Sequence, residues 1–401
     1  MNWYKVKLSE QIETLKGFAF KSSWYLSEGV PIVKVSNFTD DSIDEINLDY
    51  VDKKIASDYH KYSLDIDDII IQTVGSWPRN PKSVVGKVIR VQRNLKGALL
   101  NQNAVKIIPK NSINKRYLFY CLKNDLFKNY IINCAQGAAN QASITLEDIR
   151  RFEFDIAPNE TQQKIASILS AYDDLIENNN RRLKILEEMA QTIYREWFIN
   201  FRFPEHEKVK FVESSLGKIP EGWEVKNLSD VTKNYDSKRR PISSLQRLEM
   251  KGKYPYFGAA KIIDYINDFI FDGKYILMAE DGSVITNNST PMLQYVNEQF
   301  WANNHTHILQ GIGQVTTEFL YLFLSRYDIS GHITGVAQPK INQENMNRIK
   351  ILFANNETME RLNEIIIPIF DLRISLEKKN NNLHKTRDLL LPKLMNGEVS
   401  V

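Results

Sequence analysis

Asn159 to Phe203 reads NETQQKIASILSAYDDLIENNNRRLKILEEMAQTIYREWFINFRF, and this stretch decides the architecture. Steps of three and four residues pick out Ile165, Leu169, Tyr172, Ile176, Asn179, Leu183, Leu186, Ala190, Ile193 and Trp197. A 3.5-residue period sustained this far marks a coiled-coil seam, not an ordinary surface helix. The stretch from Thr161 to Ile199 holds neither Gly nor Pro. At ~1.5 Å per residue it predicts a rod of roughly 60 Å. Such a rod needs a partner.

The chain supplies one. Ala157-Pro-Asn-Glu-Thr161 reappears 197 positions later as Ala354-Asn-Asn-Glu-Thr358. The same alternation follows through Leu362, Ile366, Ile369, Arg373, Leu376, Asn380, Leu383, Arg387, Leu390 and Leu394. Two matching helices in one chain mean an internal duplication. The regions before them echo each other too: Trp3 to Glu10 resembles Trp223 to Asp230. Short β-type runs separated by Gly, Asn, Pro and Ser turns precede each helix. The expected class is α/β (α+β): two globular domains joined by two long antiparallel coiled-coil helices, with a pseudo-twofold internal repeat. The expected boundaries are a domain over 1–157, a helix over 158–203, a connector over 204–222, a domain over 223–355 and a helix over 356–401. Pro204 is expected to stop the first long helix, and Pro368 to kink or split the second. A single amphipathic helix is expected from Arg116 to Ile132.

Polar residues at a seam cost stability and fix alignment. If Ile165 faces Leu394, Asn179 faces Asn380 and Tyr172 faces Arg387. A one-heptad slip instead sets Asn179 against Arg373. A second apolar row, Ile168, Leu175, Met189, Ile365 and Leu372, either packs on the chain's own domains or receives helices of another subunit.

Composition narrows the function. A hydrophobic fraction of 43% with 25% charged residues belongs to a soluble globular protein. No apolar run approaches the ~20 residues that span a bilayer. Two cysteines, Cys121 and Cys134, suit a reducing compartment, so a cytoplasmic location is expected. The net charge of +3 permits nucleic-acid binding and leaves the work to local basic loops.

No phosphate loop, Gly-rich cofactor fingerprint or Asn/Asp-Pro-Pro-aromatic run of the amino-methyltransferase type occurs. His305-x-His307 lacks companion Cys or a helical His pair, so it reads as surface or core packing and no metal is expected. Glu280-Asp281 stands before a Gly-Ser turn with nothing to complete an acid–base site, so no catalytic residue is expected. Recognition chemistry remains. The first domain offers Lys16, Lys21, Lys34, Trp77, Arg79, Asn80, Lys82 and Gln102 in loop contexts. The second offers Lys238, Arg239, Arg240, Tyr254, Tyr256, Asn303 and Asn304. Arg and Lys suit phosphates and guanine edges, and Asn and Gln suit adenine edges. Any one of these is more simply an ordinary solvated loop residue. As a set, two basic, amide-rich domains on a rod resemble a two-site nucleic-acid ruler.

Three further stretches carry a family resemblance. Trp197-Phe-Ile-Asn-Phe-Arg-Phe-Pro204 followed by Gly217-Lys-Ile-Pro-Glu-Gly-Trp223 resembles the central connector of type I restriction–modification specificity subunits. Leu391-Pro-Lys-Leu-Met-Asn-Gly-Glu-Val399 resembles their C-terminal signature. Asp68-Ile-Ile-Ile71 with Gly75-Ser76, and Tyr275-Ile-Leu-Met278 with Gly282-Ser283, resemble the strand–turn of their target-recognition domains. The family's Pro-Pro-x-x-Glu-Gln start to each helix departs here to Pro158-Asn-Glu-Thr-Gln162 and Asn355-Asn-Glu-Thr-Met359. The resemblance implies a non-catalytic subunit of a host-defence system that binds double-stranded DNA. Each domain reads one half of a bipartite, asymmetric site, and the helices set the spacer. It implies docking of two methyltransferase subunits that methylate adenine N6, for which Ile168, Leu175, Met189, Trp197, Phe198, Ile365 and Leu372 are the candidates. It implies two restriction/translocase subunits, with S-adenosylmethionine, ATP and Mg held by the partners and no cofactor in this chain. The alternative is an orphan DNA-binding scaffold without nuclease partners.

Overall fold

The computed structural model describes residues 3–79, 83–138, 140–335 and 338–401. Two compact units divide the chain: Met1–Asn179 with Lys379–Val401, and Asn180–Lys378. Each long helix contributes to both. The first runs Asn159–Tyr194 and the second Asn356–Met395.

Each unit opens on the same frame. In the first, strand Tyr4–Lys7 pairs antiparallel with Glu153–Ile156, and the Leu8 amide donates to the Phe152 carbonyl at 2.8 Å. In the second, Glu224–Asn227 pairs with Lys350–Phe353, and the Leu228 amide donates to the Ile349 carbonyl at 2.8 Å. Phe152 and Ile349 stand 197 positions apart, the offset of the helix repeat. Leu8 and Leu228 are both fully buried. The frame is duplicated, as the sequence implies.

Between the frames' strands the units diverge. The first holds a four-stranded sheet ordered Ile12–Lys16, Ala104–Pro109, Ile69–Gln72, Val88–Arg90, and a three-stranded sheet ordered Asp49–Val51, Val30–Val33, Leu99–Leu100. Ile69, Ile70 and Ile71 do not alternate with polar residues because both faces of their strand are covered. Ile69 and Ile71 join the core with Tyr117, Phe127, Ile165, Leu169, Leu391 and Leu394, whereas Ile70 packs with Phe38, Ile43, Ile89 and Leu100. The second unit holds one six-stranded sheet. Its order is Thr232–Asn234, Thr306–Gly311, Phe271–Ala279, Leu293–Ala302, Lys251–Phe257, Ile262–Ile266. Its core gathers Leu186, Ala190, Tyr194, Phe319, Leu362, Ile366, Phe370 and Leu376.

Three expectations change. The helix expected over 116–132 is two, Lys115–Lys123 and Asp125–Cys134. Asn124 adopts an extended backbone between them, and its side chain accepts from the Leu126 amide as the second helix's N-cap. Pro204 does not end the first long helix. A π-helical turn, Arg195–Ile199, follows it, and Phe201 then takes φ +53°. Pro368 does not split the second helix, which is continuous to Met395. Pro368 and Glu364 are both exposed, so the carbonyl that loses its donor lies on the wet side.

Candidate nucleic-acid interface

The sequence candidates fall into two groups once placed. In the first unit Lys16, Lys21, Arg79 and Gln102 are exposed. Lys21 Nζ lies 5.3 Å from the Trp24 ring centre. Lys34 is half-buried against Asp49 and Tyr25. Trp77 is held in place by a 3.0 Å bond from Nε1 to the Ala138 carbonyl. Asn80 and Lys82 lie outside the described residues.

In the second unit Lys238, Arg240 and Asn304 are exposed, and Tyr254 is half-buried beside Phe269. Arg239, Tyr256 and Asn303 are instead engaged within the chain. Arg239 donates to Glu280 and to the Thr306 carbonyl, each at 2.7 Å. Tyr256 is 2% exposed, and its hydroxyl accepts from the Ile242 amide. Asn303 is buried, and its Oδ1 accepts from the His305 amide at 2.9 Å. These three hold the loops that display Lys238, Arg240 and Asn304. Side-chain type marked all six alike in the sequence. Burial separates them.

Asp236, Glu280 and His307 bring three ligand-type atoms within 4.8 Å of one another. Their bonding capacity is taken up internally. His307 spans Asp236 at 2.6 Å and the Ile341 carbonyl at 3.0 Å, and Glu280 also receives Lys340 at 3.2 Å. Burial would push the Asp236 carboxyl up, but the bond from His307 and the charge of Arg239 hold it below the usual carboxylate range. The cluster braces the loop beneath Lys238.

Along the helices, Asn179 Nδ2 donates to Asn380 Oδ1 at 2.8 Å. Both residues belong to the first unit. Arg387 meets Asp173 at 2.6 Å, so the neighbour of Tyr172 takes the place expected for Tyr172. Each unit also grips its long helix through an acid the sequence reading passed over. Arg90 and Arg116 reach Asp174 at 3.2 and 2.7 Å, and Lys274 reaches Asp371 at 2.8 Å. Asp174 and Asp371 are again 197 positions apart, a signal that was present in the repeat.

Of the docking candidates, Leu175, Met189, Ile365 and Leu372 are exposed at 51, 47, 41 and 38%. Ile185, exposed at 47%, joins them. Ile168 packs against the first core. Trp197 and Phe198 lie in the second unit's core instead. They are 8 and 4% exposed, and Phe198 stacks on Tyr194 and packs on Trp223 and Phe319. The π-helical turn turns both inward. No helix among the described residues is long and apolar enough to cross a membrane.

Known proteins share this organisation. The chain is 26% identical over 317 residues to the MjaIX specificity subunit of a type I restriction enzyme from Methanocaldococcus jannaschii, covering 75% of this chain and 73% of that one. It is 26% identical over 387 residues to a putative MjaX specificity subunit of the same organism, covering 93 and 88%. The solved structure of a type I restriction-modification system S subunit from M. genitalium matches with a TM-score of 0.62 at 17% identity, covering 98% of this chain and 96% of that one, a likeness of fold. The family model for the type I restriction modification DNA specificity domain matches residues 1–188 and again 220–384. With two such matches spanning both copies of the repeat, the chain belongs to the type I restriction–modification DNA specificity family.

Proposed function

We propose that the chain reads DNA at two half-sites and leaves the chemistry to partner subunits. One observation carries the reading. A repeated frame bears different sheets in its two copies, a four- and a three-stranded one in the first and a six-stranded one in the second, and each copy displays exposed cations: Lys16, Lys21 and Arg79 on one, Lys238 and Arg240 on the other. A duplicated frame supports two contacts of one kind; divergent sheets make them contacts to different sequences, so the site is bipartite and asymmetric. Phosphates position such a protein and base edges specify its site. Exposed Gln102 and Asn304 supply amides of the kind that pair with adenine.

The long helices set the gap between half-sites and dock two methyltransferase subunits on exposed Leu175, Ile185, Met189, Ile365 and Leu372. Those subunits bring S-adenosylmethionine and methylate adenine N6. Two restriction/translocase subunits, using ATP and Mg, complete the assembly in the cytoplasm. The test is sequencing of N6-methyladenine in the host genome with and without this gene. Loss of one gapped, asymmetric motif on deletion is the expected result. No lost motif would leave an orphan DNA-binding scaffold as the better account.

A further inference from the structure

The two seams of the repeat are not chemically alike. In the first unit the seam carries Asp173, Asn179, Asn380 and Arg387, all under 10% exposed. A shift of 197 positions turns them into Phe370, Leu376, Leu183 and Ala190, apolar positions of the second unit, whose own charged helix–helix pair, Arg373 with Glu187, stands at other positions. Polar residues at positions where the other copy of the repeat carries apolar ones are not needed for helix pairing there. Replacing buried ion pairs by apolar residues is often neutral or stabilising, so their retention calls for another use.

The use lies in what Arg387 reaches beyond the helices. Its Nη1 donates to Asp173 at 2.6 Å, and its Nη2 donates to Asp41 at 2.7 Å. Asp41 belongs to the globular domain. It sits in a tight turn closed by the Thr39 amide on the Ser42 carbonyl and the Asp44 amide on the Asn37 carbonyl. Phe38 and Ile43, flanking the turn, pack on the sheet face that carries Ile70. Asp41 also meets Lys123 of the domain and His384 of the second helix. One carboxylate thus ties the far face of the first domain's sheet to the second long helix.

We propose that Asp41 is a positioning residue that keys the first recognition domain to the second helix through Arg387, setting the angle at which that domain meets DNA. This rests on the DNA-reading function proposed above. A carboxylate shared by a guanidinium, an imidazole and an ammonium tolerates little rotation, because each donor approaches along its own lone-pair direction. Loss of the key leaves the domain folded and held by Arg90 and Arg116 on Asp174 and by the core it shares with Ile165, Leu169, Leu391 and Leu394, while the turn at Asp41 loses its tie to the second helix.

The test uses the full chain in its host. Asp41→Asn should leave both half-site sequences in the methylated motif unchanged and add methylation at the same half-sites with the gap altered by one base pair. Asp41→Glu should restore the single gap. A uniform fall in methylation with the gap still single would overturn the proposal, because that is what loss of fold alone produces. Hydrogen exchange on the purified full chain decides independently of any methylation. In Asp41→Asn, amides at 384–391 should exchange at least about tenfold faster, while those of strand Glu153–Ile156 stay unchanged. Unchanged exchange at 384–391 would also overturn it. A wild-type host without a methylated motif would count against the DNA-reading function alone, and the exchange result would still decide the key.

Discussion

Asn179 and Asn380 form a 2.8 Å side-chain hydrogen bond between the two long helices, with both residues buried in the first unit. The bond fixes alignment more than it adds stability. In Asn380→Leu, Asn179 keeps a buried amide without this partner, and the chain should lose about 1–3 kcal/mol. The double variant Asn179→Leu/Asn380→Leu copies the second unit's Leu376 and Leu183 and should recover most of that loss. Urea melts of the wild type, single and double variants measure both. A double variant as unstable as the single would mean that the pair contributes net stability.

Asp41 gives the first unit an acid sensitivity with a definite sign. Burial would raise its pKa, but the bond from His384 and the charges of Lys123 and Arg387 outweigh that and hold the carboxyl far below the usual range. A folded-state value below the unfolded one adds stability above the unfolded pKa, about 3.9, and loses it as pH falls toward the folded value. Wild-type stability should therefore decline below about pH 4, and Asp41→Asn should flatten that decline while lowering stability at pH 7. Thermal melts from pH 3 to 7 check it.

Arg239 and Arg240 are adjacent and should respond oppositely. Arg240→Ala removes an exposed cation. Fold stability should hold, affinity for duplex DNA should fall, and the slope of log affinity against log salt should drop by about 0.9 if one phosphate contact goes. Arg239→Ala leaves Glu280 without its 2.7 Å partner, so the loop beneath Lys238 loosens and thermal stability falls. Salt-titrated binding with a melt on each variant separates them. Equal salt slopes for wild type and Arg240→Ala would remove Arg240 from the interface.

The frame was legible because duplication leaves periodic traces. The 3.5-residue seam and its asparagines lie in local sequence, and the 197-residue offset shows when two stretches of the chain are compared. The edge of the second unit's sheet was not legible. Strands Lys251–Phe257 and Ile262–Ile266 form the far side of the six-stranded sheet, yet their residues are largely polar or exposed, and Pro255 sits within the first of them. Such strands carry no alternation to read, and pairing with a neighbour creates them. The internal bonds of Arg239, Tyr256 and Asn303 were hidden for a related reason: residue type reports what a side chain can bond, while the partner it does bond is set by contacts distant in sequence. Asp41 and Arg387 lie 346 positions apart, and nothing local marks either as the other's partner.

The long helices carry two kinds of apolar residue, and mutation should sort them. Ile365 and Leu372 are exposed, so Ile365→Glu/Leu372→Glu costs the isolated chain little burial and should leave its melt within about 0.5 kcal/mol of wild type. The same change places two carboxylates on the face proposed to receive a methyltransferase subunit, where desolvating them opposes association. Co-purification with that subunit should be lost while the chain stays folded. Trp197→Ala should behave the other way. It empties a core site shared with Tyr194, Phe198 and Phe319 and should cost about 3–5 kcal/mol, weakening co-purification only as far as the second unit unfolds. Pull-down and melting on the same preparations settle the assignment. Retention of the methyltransferase by the double glutamate variant would move the docking face elsewhere, with Leu175 and the Ile185–Met189 pair the next exposed residues to change.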